Sequence, residues 1–158
     1  MIASPTIVGI AITKQEFKVL QMIERLSSTR ETDTLLQELI EVHGPLVFHQ
    51  SGGCCDGSAP MCFPRSEFRV GSRDIFLGTL CEQPFFIAAD QYSYWEHTKL
   101  IIDVVPGRGG MFSIEGPSGK RFLTRSKVFS EEELIEHKNN PPLNASDVTD
   151  FEGLKTTS

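Results

Sequence analysis

The densest cluster of reactive side chains lies in one stretch, His49-Gln-Ser-Gly-Gly-Cys-Cys-Asp-Gly-Ser-Ala-Pro-Met-Cys62. Thiolate and imidazole are the usual ligands of zinc and iron, and thiolates also hold iron–sulfur clusters. Cys54, Cys55, Cys62 and His49 are therefore the candidate metal ligands, with the Asp56 carboxylate beside them. Gly52, Gly53 and Gly57 let the backbone adopt positive φ and turn its amides toward a ligand. Consecutive cysteines in an extended chain point to opposite sides. Cys54 and Cys55 thus share a site only if the loop bends, which the glycines permit. A zinc ribbon would need two Cys-x-x-Cys pairs, so the metal stays open between iron, zinc and an iron–sulfur cluster. Packing of small buried thiols competes with this reading. An enzyme is the alternative, with Cys54 or Cys55 as nucleophile and His49 as base. A non-enzymatic metal-binding role is preferred.

The remaining candidates are weaker. Cys81 reads as a packed thiol at a strand end. His43 sits where it could cap a helix C-terminus. His97 follows the aromatic run Tyr92–Trp95 and reads as a tethered core imidazole, and His137 reads as solvated. Gly107-Arg-Gly-Gly110 has neither dinucleotide nor P-loop spacing. A simple turn is the default there, and Arg108 is an optional anion contact.

Those residues need a scaffold. Thr13-Lys-Gln-Glu16 is a capping-box pattern, and Phe17, Leu20 and Ile23 follow at helical spacing, which predicts a helix over 14–26. Ser27–Arg30 is a polar break. Thr32 or Asp33 caps a second helix with Leu35, Leu36, Leu39, Ile40 and Val42 on one face, closed by Gly44 and Pro45. Strands are expected at Leu46–Gln50, Asp74–Leu80, Phe85–Ala89 and Lys99–Val105, the last of them central. Asp90–His97 reads as a short helix capped by Asp90. Met111–Glu115 and Arg121–Phe129 are expected to pair across Gly116–Gly119. Ser130–Glu133 is another capping box, opening a final helix to about Lys138. This order predicts an α+β fold with mostly antiparallel sheets, two N-terminal helices and one C-terminal helix. The domain plan is an N-terminal extension over 1–30, a single α+β domain over 31–138, and a flexible acidic tail over 139–158.

Composition narrows the class. The 158 residues, 39% hydrophobic and 23% charged, suit one globular domain. No apolar run reaches the roughly 18 residues of a membrane helix. Met1–Pro5 carries no basic run, so a cytoplasmic protein with reduced thiols is expected rather than a disulfide framework. The net charge of −6 argues against nucleic acid. The charge is uneven: residues 99–129 hold six Lys/Arg against two Asp/Glu, and residues 130–158 hold two against seven. A basic strand face beside an acidic tail accounts for this, and a basic groove for an anion is the sharper alternative.

Two resemblances rest on these motifs. The runs His43–Leu46, Phe48–Ser58, Pro60–Cys62, Ile101–Ser113 and Arg121–Ser126 resemble an uncharacterised family of small bacterial proteins. Genes of that family are often found beside NAD-dependent acetaldehyde or other aldehyde dehydrogenases. The resemblance covers about residues 42–130. It implies an accessory role, with an aldehyde dehydrogenase as the expected partner and an aldehyde-derived or redox substrate under the enzymatic alternative. A homodimer is a further option. More remotely, the helix, strand, Gly-Gly-Cys loop, Ile-Asp-Val strand and glycine-rich turn resemble the A-type iron–sulfur carrier (HesB-like) fold. That likeness implies Cys54 as a cluster or iron ligand. The family's C-terminal Cys-x-Cys has no counterpart here, so Cys55, Cys62 or His49 would have to substitute.

Overall fold

The computed structural model describes residues 6–7, 10–11, 24–51, 59–108 and 113–157. The fold is α+β with mixed sheets: among the described strands four pairings are antiparallel, as expected for most of them, and three are parallel. Strands β1 (Thr6–Ile7) and β2 (Ile10–Ala11) pair antiparallel. Of the helix expected over 14–26, residues 14–23 lie outside the described residues. Glu24 and Arg25 are not helical, and Leu26–Ser28 forms a strand, β3. The polar break expected at Ser27 is thus partly strand. Three residues with a single apolar side chain carry no readable period, and the pairing partner of β3 lies more than 70 residues away.

Helix α1 spans Arg30–His43. Its cap is Thr29, whose Oγ1 accepts from the Thr32 amide at 3.3 Å. The two expected caps, Thr32 and Asp33, lie inside the helix instead, and Thr32 is buried and donates to the Ile102 carbonyl at 2.8 Å. Leu35, Leu36 and Leu39 face the core, whereas Val42 is exposed near the helix end. Gly44 closes the helix at φ 77°, and its amide bonds to the Ile40 carbonyl at 2.8 Å.

Strands β4 (Leu46–Gln50), β5 (Met61–Pro64), β7 (Ile75–Leu80) and β8 (Gln83–Ile87) form one sheet in the order β5-β4-β8-β7. β4 pairs antiparallel with β5 and parallel with β8. Cys81 and Glu82 turn β7 into β8 with φ of 48° and 67°, the left-handed pair that a tight hairpin requires. Helix α2 (Ala89–Trp95) follows without a side-chain cap; Asp90 lies inside it. Strand β9 (Thr98–Pro106) is central, between β10 (Lys120–Val128) and the parallel β3. β10 pairs with β9 from Lys120↔Pro106 to Val128↔Thr98; of the strand expected at Met111–Glu115, residues 111–112 lie outside the described residues and 113–115 are not in a strand. The β-branched, apolar β9 offers nine partners. Residues 113–115 instead turn inward, and the Ile114 amide bonds to the Cys62 carbonyl at 3.0 Å.

Helix α3 (Glu131–Asn139) opens with the expected capping box: Ser130 Oγ accepts from the Glu133 amide, and Glu133 Oε1 accepts from the Ser130 amide. Among the described residues no helix is long and apolar enough to cross a membrane.

One core lies between the two sheets and α1, with Leu36, Leu46, Phe48, Phe85, Ile102 and Phe122 at its centre. A second lies on the other face of the four-stranded sheet, where Val47, Val70 and Phe86 meet Ala145, Val148 and Leu154. The C-terminal segment is therefore docked, contrary to the flexible tail expected from its composition. Strand β11 (Lys155–Thr156) pairs parallel with β6 (Arg69–Val70). The buried Arg65 guanidinium reaches the Leu46 carbonyl, Gln83 Oε1 and the Glu152 carbonyl, with the Phe151 ring 5.5 Å away. A few well-placed apolar residues and one buried arginine suffice to hold a segment whose average composition is polar.

Candidate functional site

The Gly/Cys loop proper, with Gly52, Gly53, Cys54, Cys55, Asp56 and Gly57, lies outside the described residues. Its two supports are described: β4 leads into it and β5 leads out. Because side chains alternate along a strand, β4 sends Phe48 and Gln50 to the central core and Val47 and His49 to the opposite face. The register pairs Phe48 with Cys62 and His49 with Met61. Cys62 is part of the central core. His49 and Cys62, proposed above as ligands of one metal, thus point to opposite faces of the sheet. Period-two geometry separates them, however close they lie along the chain.

On the His49 face, the imidazole meets a carboxylate absent from the sequence reading. His49 Nε2–H donates to Asp74 Oδ2 at 2.7 Å, and the two side chains are only 14% and 16% exposed. The same oxygen accepts the Gly71 amide at 2.9 Å, and the Asp74 amide returns to the Gly71 carbonyl at 3.0 Å. A Cβ on Gly71 would lie 3.2 Å from that carboxylate, so the glycine lets the turn close on it. The Phe68 ring flanks the imidazole with centroids 5.3 Å apart. The Asp74 carbonyl accepts the Ala145 amide at 2.8 Å, so the docked C-terminal segment braces the turn that orients His49.

On the core face, Cys62 is fully buried, and burial together with the nearby Glu115 carboxylate pushes its thiol well above the ordinary range. Its amide donates to Ser113 Oγ at 2.8 Å, and Ser113 Oγ donates to Glu115 Oε1. Burial also raises the Glu115 carboxyl, against the lowering effect of the Ser113 hydroxyl and backbone amides. These bonds tie the chain just after the Gly/Cys loop to the chain just after the glycine-rich turn. Gln50 is fully buried as well. Its Oε1 accepts from Thr124 Oγ1 at 2.7 Å, while its Nε2 has no hydrogen-bond partner among the described residues.

The other candidates sit apart. Cys81 is half-buried with Sγ 3.6 Å from Asp33 Oδ1; burial and Asp33 raise its thiol, which fits a packed role. His43 is exposed in the last turn of α1, and Arg108 is exposed just past β9. His97 is exposed rather than packed in the core. His137, expected to be solvated, is buried against Phe129 with ring centroids 3.9 Å apart. Its place on the inward face of a very polar helix hid it. Among the described residues no group of three or more His, Cys, Asp or Glu side chains is close enough to hold a metal ion. Asp74 and Glu115 are the additions that sequence alone missed. Asp74 had only the weak signal of a Gly-x-x-Asp turn before a strand.

What these features define is an α+β domain with a His–carboxylate pair at the base of a glycine- and cysteine-rich loop. The chain belongs to the family described as a domain of unknown function (DUF779), which matches residues 35–128, more than half of its length. Neither a search of the curated proteins nor one of the solved structures finds a match.

Proposed function

We propose that this protein is a metal-binding accessory protein that holds iron, zinc or an iron–sulfur cluster through Cys54, Cys55 and His49 and supports an aldehyde dehydrogenase. The observation that carries the metal reading is the 2.7 Å bond from His49 Nε2–H to Asp74 Oδ2. A metal-binding histidine commonly gives its second ring nitrogen to a carboxylate, which sets the tautomer and raises ligand basicity. With the proton on Nε2, Nδ1 keeps the lone pair that a metal needs. Asp56 is a further oxygen donor within the loop. Cys62 fits poorly, because it is buried on the far face with its thiol held protonated. The site reading therefore becomes Cys54, Cys55 and His49, with Asp74 behind the imidazole. A HesB-like carrier remains the fold analogue we favour, with Cys54 as the matching ligand and His49 standing in for part of the missing Cys-x-Cys. Arg108 stays an optional anion contact.

The same pair also favours a second reading. A base oriented by a carboxylate is the arrangement that activates a nucleophilic thiol, so His49 with Cys54 would suit a small thiol-dependent enzyme. Metal analysis of anaerobically purified protein separates the two. Stoichiometric metal that is lost in Cys54→Ser supports the binding role. Metal-free protein with one rapidly alkylated thiol supports the enzyme. The dehydrogenase link rests on family resemblance and is tested by co-expression and pull-down, with dehydrogenase lifetime as the readout. No complex and an unchanged lifetime would remove it.

A further inference from the structure

A cavity of about 430 Å³ opens between α2 and α3, and none of its lining among the described residues belongs to β4 or β5. His137 forms part of its wall. This imidazole is 6% exposed, and neither ring nitrogen has a hydrogen-bond partner among the described residues. Folded proteins rarely leave a buried polar atom bare unless a ligand, ion or water uses it. The surrounding groups indicate which kind of ligand. Among the described lining residues, Tyr92, His97 and Lys138 can all donate hydrogen bonds, and only Glu96 has a side chain that is an obligate acceptor. Leu134, Pro141 and Pro142 supply apolar wall.

We propose that this cavity is a binding site for a short-chain organic carboxylate, held by Lys138 and His137 at its charged end and by Leu134, Pro141 and Pro142 along its hydrocarbon body. A site rich in donors asks for a ligand rich in acceptors, and a carboxylate accepts charge-assisted bonds. The volume lies in the range of small-molecule sites. Rotation of an imidazole about χ2 meets a broad, shallow profile, so the ring, tilted 37° against Phe129, can turn to bring a nitrogen to the ligand. The site is independent of the metal reading.

The test labels the full chain with ¹⁵N-histidine and follows the imidazoles of His43, His49, His97 and His137 by long-range ¹H–¹⁵N correlation. Sodium butyrate is titrated at constant ionic strength to about 100 mM, which covers millimolar dissociation constants. The expected result is a saturable shift at His137, with His43 and His49 unmoved. Lys138→Gln, at an exposed position, should weaken that binding about tenfold, and n-butanol should bind at least that much more weakly than butyrate. Three results would overturn the proposal: no saturable change at His137, equal binding of butanol and butyrate, or all four imidazoles shifting together. The first would leave ordered water as the partner of the ring.

Discussion

Replacing Asp74 by asparagine tests the candidate site at the point where its geometry is best defined. Two donors converge on Asp74 Oδ2, His49 Nε2 at 2.7 Å and the Gly71 amide at 2.9 Å. An asparagine can place its single carbonyl oxygen there and keep both bonds, so Asp74→Asn removes the charge and little else. A charge-assisted bond is roughly twice as strong as a neutral one, and a neutral bond is worth about 1 kcal/mol. The lost increment is therefore about 1–1.5 kcal/mol, or close to tenfold in metal affinity, at the lower end of the 10–100-fold typical of such outer carboxylates. Asp74→Ala removes both bonds and should also destabilise the metal-free protein by about 1–2 kcal/mol, because both donors are near the surface and recover water. Affinity is read by competition with a chromophoric chelator, and stability by urea unfolding of the metal-free protein. If Asp74→Asn binds metal within about twofold of the parent, the carboxylate does not act through His49. If it costs as much apo stability as Asp74→Ala, the pair is only a structural clasp.

Three further outcomes follow from the same geometry. Arg65→Leu removes the guanidinium that bonds the Glu152 carbonyl in the C-terminal dock and leaves the Leu46 carbonyl without its guanidinium partner. It should lower stability by about 2–4 kcal/mol in urea with an unchanged m-value, since charged hydrogen bonds are lost while guanidinium desolvation is relieved; a change below about 0.5 kcal/mol would mean that the dock needs no arginine. His137 is held neutral by burial, reinforced by the Arg25 charge, so its pKa lies below the ordinary value near 6.5. The unfolded chain then binds this proton first, and stability should fall as pH drops below about 6.5 toward the folded value. His137→Phe should flatten that part of the pH–stability curve, and an identical slope in both proteins would exclude His137 as its source. Finally, native protein near neutral pH should alkylate slowly at Cys62 and Cys81, whose thiols are both raised, and fully at both once unfolded. Mass-spectrometric mapping that finds Cys62 modified as fast as free cysteine would contradict its burial.

The local features were legible from the sequence because local physics decides them. The α1 apolar face, the Gly44 stop, strand β4, the central β9 and the Ser130–Glu133 capping box each depend on residues a few positions apart. Features made by distant pairing were not. β3 is a strand because Leu26 meets Leu100, and β10 takes β9 as its partner. The C-terminal segment looked disordered by composition. Ala145, Val148 and Leu154 nevertheless fill the back of the four-stranded sheet, and Arg65 clasps its carbonyl.

The site divides in the same way. Residue types and spacing alone singled out the Gly/Cys loop and His49 as the candidate place for thiol or metal chemistry, because ligand chemistry belongs to side chains and glycine freedom belongs to the local backbone. Only the tertiary structure set His49 and Cys62 on opposite faces of one sheet, gave His49 its partner in Asp74, and buried Cys62 beside Glu115. Proximity along the chain does not say which way a strand residue points; the sheet register does, because a step of one residue reverses the face.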